Sequence, residues 1–157
     1  MSEIVKPNLT NPVHFLAFGF GSGLIPKAPG TAGSLVAIFP LLWLDQLNLE
    51  SYLIFLVIAI LLGIYLCGKT SRDLAVADHP GIVWDEFCGI WLTMVAVPLT
   101  WQWLIAGFLL FRFFDIIKPW PINWLDKNVS GGLGIMVDDL LAAVYAWLIL
   151  QSFLYLF

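Results

Sequence analysis

The chain has 157 residues, enough for one domain, and a single domain over 1–157 is expected. Its residues are 61% hydrophobic and 11% charged, against about 45–50% and about 25% in a typical soluble domain. Apolar surface on that scale needs a solvent other than water, which points to an integral membrane protein, and a formal charge of −4 excludes the basic footprint of a nucleic-acid binder.

The first twelve residues, MSEIVKPNLTNP, are polar and lack the charged-then-apolar order of a cleavable signal peptide. Residues 19–34, GFGSGLIPKAPGTAGS, combine five glycines, two prolines, Lys27 and three hydroxyl residues. Such a turn exposes backbone N–H groups to an anion, and Thr31 is a reasonable N-cap for the helix that follows. Apolar segments then lie at about 32–47, 51–68, 87–100, 101–117 and 135–157. A crossing helix needs about 20 residues, which the second and last segments supply alone. Pro98, Thr100 and Gln102 favour a turn between the third and fourth over one over-long rod. Pro119 and Pro121 end the fourth near Ile117. Gly131, Gly132 and Gly134 are expected to break the chain ahead of the last, which would put Asp138 and Asp139 about 5 Å above its start.

If all five segments cross, 1–31, 69–86 and 118–134 share one side. All the basic residues fall toward it: Lys6, Lys27, Lys69, Arg72, Arg112, Lys118 and Lys127. The positive-inside rule makes that side cytoplasmic. The acids Asp73, Asp78, Asp85, Glu86, Asp115, Asp126, Asp138 and Asp139 gather there too, although nothing in that rule requires it. The expected fold is therefore all-α. It is a polytopic membrane helix bundle of about five embedded helices, some short or broken, with its active site at the cytoplasmic interface.

Two acidic doublets carry the chemistry. Asp85 and Glu86 open one apolar segment, and Asp138 and Asp139 sit inside another. A carboxylate costs about 2.5–3.5 kcal/mol at the centre of a membrane helix, and four in one pocket repel unless a cation joins them. Oxygen donors without Cys favour Mg²⁺, Mn²⁺ or Ca²⁺ over zinc. One doublet alone also suits a solvated helix N-terminus; two on one face, with Asp115 near, suit a metal better. Arg112 and Asp115 share a helix face at i,i+3 and Lys118 follows three later, a pattern for a surface ion pair or for holding phosphate. His79 is either a loop residue bonded to backbone or a ligand or general acid. His14 is expected to be structural, and Cys67 and Cys88 to be small buried hydrophobes.

Four segments in order, GFGSGLIPKAPGTAGS (19–34), DHPGIVWDEFCG (78–89), FRFFDIIKPWPINWLD (111–126) and GGLGIMVDDLLA (131–142), resemble the phosphatidylglycerophosphatase A family of bacterial lipid phosphatases. The resemblance implies Mg²⁺-dependent hydrolysis of phosphatidylglycerophosphate to phosphatidylglycerol and phosphate. It also implies a multi-pass protein of the inner membrane, in contact with the lipid bilayer, with its active site facing the cytoplasm. On that reading Asp85, Glu86, Asp138 and Asp139 are catalytic and hold the metal, with Asp115 as a further ligand and His79 as a further catalytic group. Lys27, Thr31, Ser34, Arg112 and Lys118 bind the substrate phosphate. Neither an aspartyl DxDx[TV] signature nor a PSGH core is present, so direct attack by water is expected. The competing expectation is a small ion-coupled transporter using the same carboxylates. Against it stand the short chain, the lack of a visible inverted repeat and the clustering of acids at one interface.

Overall fold

A computed structural model describes residues 5–157, so the first residues of the polar N-terminal segment lie outside the described part. Every regular element among the described residues is helical. In chain order they are α1 (Pro12–Ala17), a 3₁₀ turn (Ser22–Leu24), α2 (Pro29–Val36), α3 (Ile38–Leu44), α4 (Leu49–Leu74), α5 (Trp84–Thr93), α6 (Trp101–Ile117), α7 (Ile122–Asn128) and α8 (Gly131–Leu156).

Local chemistry sets these bounds. The Asn48 side chain accepts from the Ser51 amide at 2.8 Å and starts α4. Its end is a left-handed Ala75 whose N–H donates to the Arg72 carbonyl. The expected single helix over 32–47 is two, because Pro40 offers no N–H to Val36 and its ring crowds that carbonyl, so the chain breaks at Ala37. The segment expected over 87–100 starts earlier and holds only to Thr93. At ten residues α5 rises about 15 Å, half a bilayer's hydrocarbon depth. The glycines expected to break the chain before the last helix instead form its first turn. Asp138 is therefore seven residues into α8, about 10 Å from its start rather than about 5 Å.

α8 is the centre of the bundle and packs against α4, α5, α6 and α7. Its contact with α4 is close because both helices present glycine: a Cβ on Gly68 would stand 3.2 Å from the Gly132 amide nitrogen, and one on Gly132 would strike the Ile64 carbonyl. Aromatic side chains bury their rings and spend their polar ends on backbone. Trp84 Nε1 donates to Ala59 O at 3.0 Å, the Tyr52 hydroxyl to Trp91 O at 2.7 Å and Trp91 Nε1 to Ala37 O at 2.9 Å. These bonds fix α5 between α4 and the α2–α3 junction. The buried core runs through Phe18, Leu66, Phe87, Trp91, Phe111 and Met136.

The outer faces are as apolar as the core. Leu53, Ile54, Val57, Ile58 and Leu61 leave one side of α4 exposed, and Ile105, Leu109, Phe113 and Ile116 do the same on α6. Patches of that extent on a water-facing surface would be unusual. α4 and α8, 26 residues each, are long and apolar enough to cross a membrane. His14 Nδ1 accepts from the Asn8 amide and its Nε2 donates to Asp73, a structural role, and both cysteines are free and buried.

Candidate active site

Three helices bring the acids together. α5 supplies Asp85 and Glu86 from its first turn, and that turn is held in place by the Val83 amide donating to Ala17 O at 2.8 Å. α8 supplies Asp138 and Asp139, and α6 supplies Arg112 and Asp115 one turn apart. All four doublet carboxylates are buried, Asp139 to 3% exposure. One oxygen each from Asp85, Glu86 and Asp139 lie within 4.8 Å of one another. Glu86 Oε2 and Asp139 Oδ2 are buried without a hydrogen-bond partner among the described residues. Buried anions at that spacing with free lone pairs are unfavourable alone, and they suit a hard cation that takes oxygen ligands.

Two cations face the cluster. Arg112 pairs with Asp115 and stands 3.6 Å from Glu86 Oε1, and its Nε has no partner among the described residues. Lys118 Nζ bridges Asp126 and Asp138 at 2.8 Å each. Burial pulls the Lys118 pKa down, but the hydrogen bonds to Asp126 and Asp138 outweigh it and hold the ammonium above its ordinary range. Lys118 reaches both acids because it ends α6 in a left-handed conformation, φ 49°, ahead of Pro119.

These side chains line a pocket of about 270 Å³ closed on one side by Ala28, Pro29 and Gly30 at the start of α2. Gly30 is there for lack of a side chain. A Cβ would collide with Glu86 Oε1 and stand 3.2 Å from both terminal nitrogens of Arg112.

Of the residues expected at the site, Asp85, Glu86, Asp115, Asp138, Asp139, Arg112 and Lys118 all line this pocket. Four do not. Lys27 is exposed one residue before the lining backbone. Thr31 is the third residue of α2 and not its cap, a position taken by Ala28 at φ 52°. Ser34 is buried and donates to Gly30 O at 2.8 Å within the helix. His79 faces a neighbouring groove, and its Nδ1 accepts from the Gly81 amide at 2.9 Å. Asp78 and Gly30 line the pocket without having been singled out, and Asp126 enters as the second partner of Lys118.

An apolar protein whose described elements are all helical, two of them long enough to cross a bilayer, falls in the class of membrane-associated proteins. Comparison with known proteins makes the class specific. The profile of the family described as Phosphatidylglycerophosphatase A matches residues 15–154. A Phosphatidylglycerophosphatase A from Haemophilus influenzae is 51% identical over 156 residues, covering 98% of this chain and 96% of that protein. One from Escherichia coli is 50% identical over 145 residues, covering 90% of this chain and 84% of that protein. No solved structure matches the chain. The chain belongs to the phosphatidylglycerophosphatase A family and is a phosphatase.

Proposed function

We propose that this phosphatase hydrolyses phosphatidylglycerophosphate to phosphatidylglycerol and phosphate at the carboxylate pocket, in a Mg²⁺-dependent reaction. The observation that carries it is the grouping of Asp85, Glu86 and Asp139 beside Arg112 and Lys118, in a chain about half identical to two proteins named for that activity. In the reaction a water oxygen bonds to phosphorus and the ester P–O bond to glycerol breaks. One water proton ends on the glycerol oxygen, and the other stays on the released phosphate.

The roles divide among the acids. Asp85, Glu86 and Asp139 would hold Mg²⁺, and Glu86 Oε2 and Asp139 Oδ2 are the lone pairs left free for it. Bound there, Mg²⁺ would offset phosphoryl charge and make a bound water more acidic. Asp115 and Glu86 both lie against Arg112 Nη1, so its guanidinium is set before a substrate arrives and its remaining donors can serve a phosphate oxygen. Asp138 and Asp126 do the same for Lys118. Asp115 and Asp138 therefore act by orienting cations, and the pocket stabilises charge that develops on the phosphoryl oxygens.

We place the pocket at the cytoplasmic side of a bacterial inner membrane, with the bilayer against the apolar faces of α4, α6 and α8. α2–α3 and α5 both run from the pocket end toward the remote loops, each helix too short to cross alone. In support, the loops at the end remote from the pocket, 45–48 and 94–100, contain no Lys or Arg. The test is phosphate release from phosphatidylglycerophosphate by purified wild type and by Asp139→Asn. Comparable rates would remove Asp139 from the site.

A further inference from the structure

Next to the carboxylate pocket lies a second groove of about 270 Å³. The two share Pro29 and Pro80 in their walls, so they adjoin in the fold. Their chemistry is opposite. The groove is lined by apolar residues, among them Phe18, Leu24, Ile25 and Pro26, together with His79, and by no acid. A third cavity beside the carboxylate pocket is mixed in chemistry, with Asp78, Asp126, Lys127 and Ser130 lining it along with Val129 and Ile135. Leu24 and Ile25 are about half exposed, so the groove opens along an apolar rim. Lys27 follows the lining residue Pro26 in the chain, and Lys6 precedes the lining residue Pro7.

His79 is the single polar side chain in this groove. Its Nδ1 accepts the Gly81 N–H, so the proton of the neutral ring sits on Nε2. That Nε2–H has no partner among the described residues. An apolar wall with one fixed donor and nearby lysines suits an amphiphile with an anionic oxygen.

We propose that this groove holds the non-reacting half of the substrate and that His79 Nε2 donates to its phosphodiester. The inference rests on the phosphatase reading above and deepens it. Phosphatidylglycerophosphate carries a phosphomonoester, which reacts, and a phosphodiester one glycerol away, which does not. With the monoester among Arg112, Lys118 and the carboxylates, the diester falls to the adjoining groove that has a donor and no acid. His79 is thus a specificity-determining residue. It separates lipids bearing a second phosphate from phosphatidate, which has the monoester alone.

The experiment uses the full chain in detergent micelles and measures kcat and KM for phosphatidylglycerophosphate and for phosphatidate. The wild type is expected to prefer the first. His79→Ala should raise KM for it about tenfold or more, the size of a lost hydrogen bond to a charged group, and shrink the preference by the same factor. Two further variants separate the donor from the loop. Asn at 79 can still accept the Gly81 amide in an Asx turn but has nothing at Nε2, so His79→Asn should behave like His79→Ala. Gln places an N–H near Nε2, so His79→Gln should keep most of the preference. A wild-type preference ratio in His79→Ala and His79→Asn overturns the proposal. So do losses that fall on kcat for both lipids alike, or a wild type that turns over both lipids equally. A wild type that releases phosphate from neither lipid overturns the phosphatase reading itself.

Discussion

Gly30→Ala tests the site with the smallest possible change. Gly30 is the second residue of α2, where alanine is intrinsically better for the helix by about 1 kcal/mol. Its φ is not in the left-handed range, so the backbone itself accepts a side chain. The new methyl would nevertheless meet Glu86 Oε1 and crowd both terminal nitrogens of Arg112 at 3.2 Å. Glu86 must then withdraw by roughly 1 Å, a misplacement that can cost about 10²-fold in rate. Glu86 has little room to retreat, because α5 is pinned by its tryptophans to α4 and to Ala37. The expected variant therefore gains nothing in melting temperature, because the clash offsets the helix preference, and loses about two orders of magnitude in kcat. Thermal unfolding in detergent and initial rates of phosphate release measure the two quantities on one preparation. A variant with the wild-type rate would refute the close approach of α2 to the Glu86–Arg112 pair, and with it the pocket's geometry.

Further outcomes follow from other contacts. Glu86→Gln should lower kcat by about 10²-fold or more and weaken Mg²⁺ activation, since one charged ligand is lost; unchanged Mg²⁺ titration would move the metal elsewhere. Lys118→Met should raise KM about ten- to hundredfold through the lost charged contact, read from saturation curves. Because the Lys118 pKa is raised on folding, its ion pairs contribute fully below the ordinary lysine value, about 10.4, and fade only as pH climbs through the higher folded one. The melting difference between wild type and Lys118→Met should thus stay flat from about pH 8 to about pH 9, and a gap that closes in that range contradicts the pairing. Gly132→Ala should destabilise the fold by about 1–3 kcal/mol, because its methyl would strike the Ile64 carbonyl and push α4 from α8. An unshifted melting point would deny that contact.

The elements that local chemistry governs could be read from the chain. α6 has the bounds 101–117 expected of it, because Thr100 precedes the apolar run and Pro119 follows it. α4 runs past its apolar stretch to Leu74, since the Lys69–Asp73 pair at i,i+4 supports polar closing turns. The break at Ala37 was also in the sequence, at Pro40, but a continuous apolar run hides it. The doublets were legible because carboxylates in apolar sequence need a reason. Their division of labour was not, since Asp138 meets Lys118 while Asp139 meets the α5 acids only through packing of three helices. The glycine-rich segment misled in one respect. Its richness suggests that Lys27, Thr31 and Ser34 reach the site, whereas the part of the segment that lines the pocket is Ala28, Pro29 and Gly30. Gly30 matters for what it lacks, which no local pattern records. The start of α8 at Gly131 is hidden because three glycines read as a break, although the smallness of Gly132 serves the approach to α4.

If the buried carboxylates hold Mg²⁺ for hydrolysis of a lipid phosphomonoester, turnover depends on that ion. The most direct test is phosphate release from phosphatidylglycerophosphate by the purified, folded chain in detergent, with Mg²⁺ and with EDTA. Release is expected with Mg²⁺, its loss in EDTA and its return when Mg²⁺ is restored in excess. Release that persists in EDTA, or none in Mg²⁺ from protein shown to be folded, would contradict that expectation.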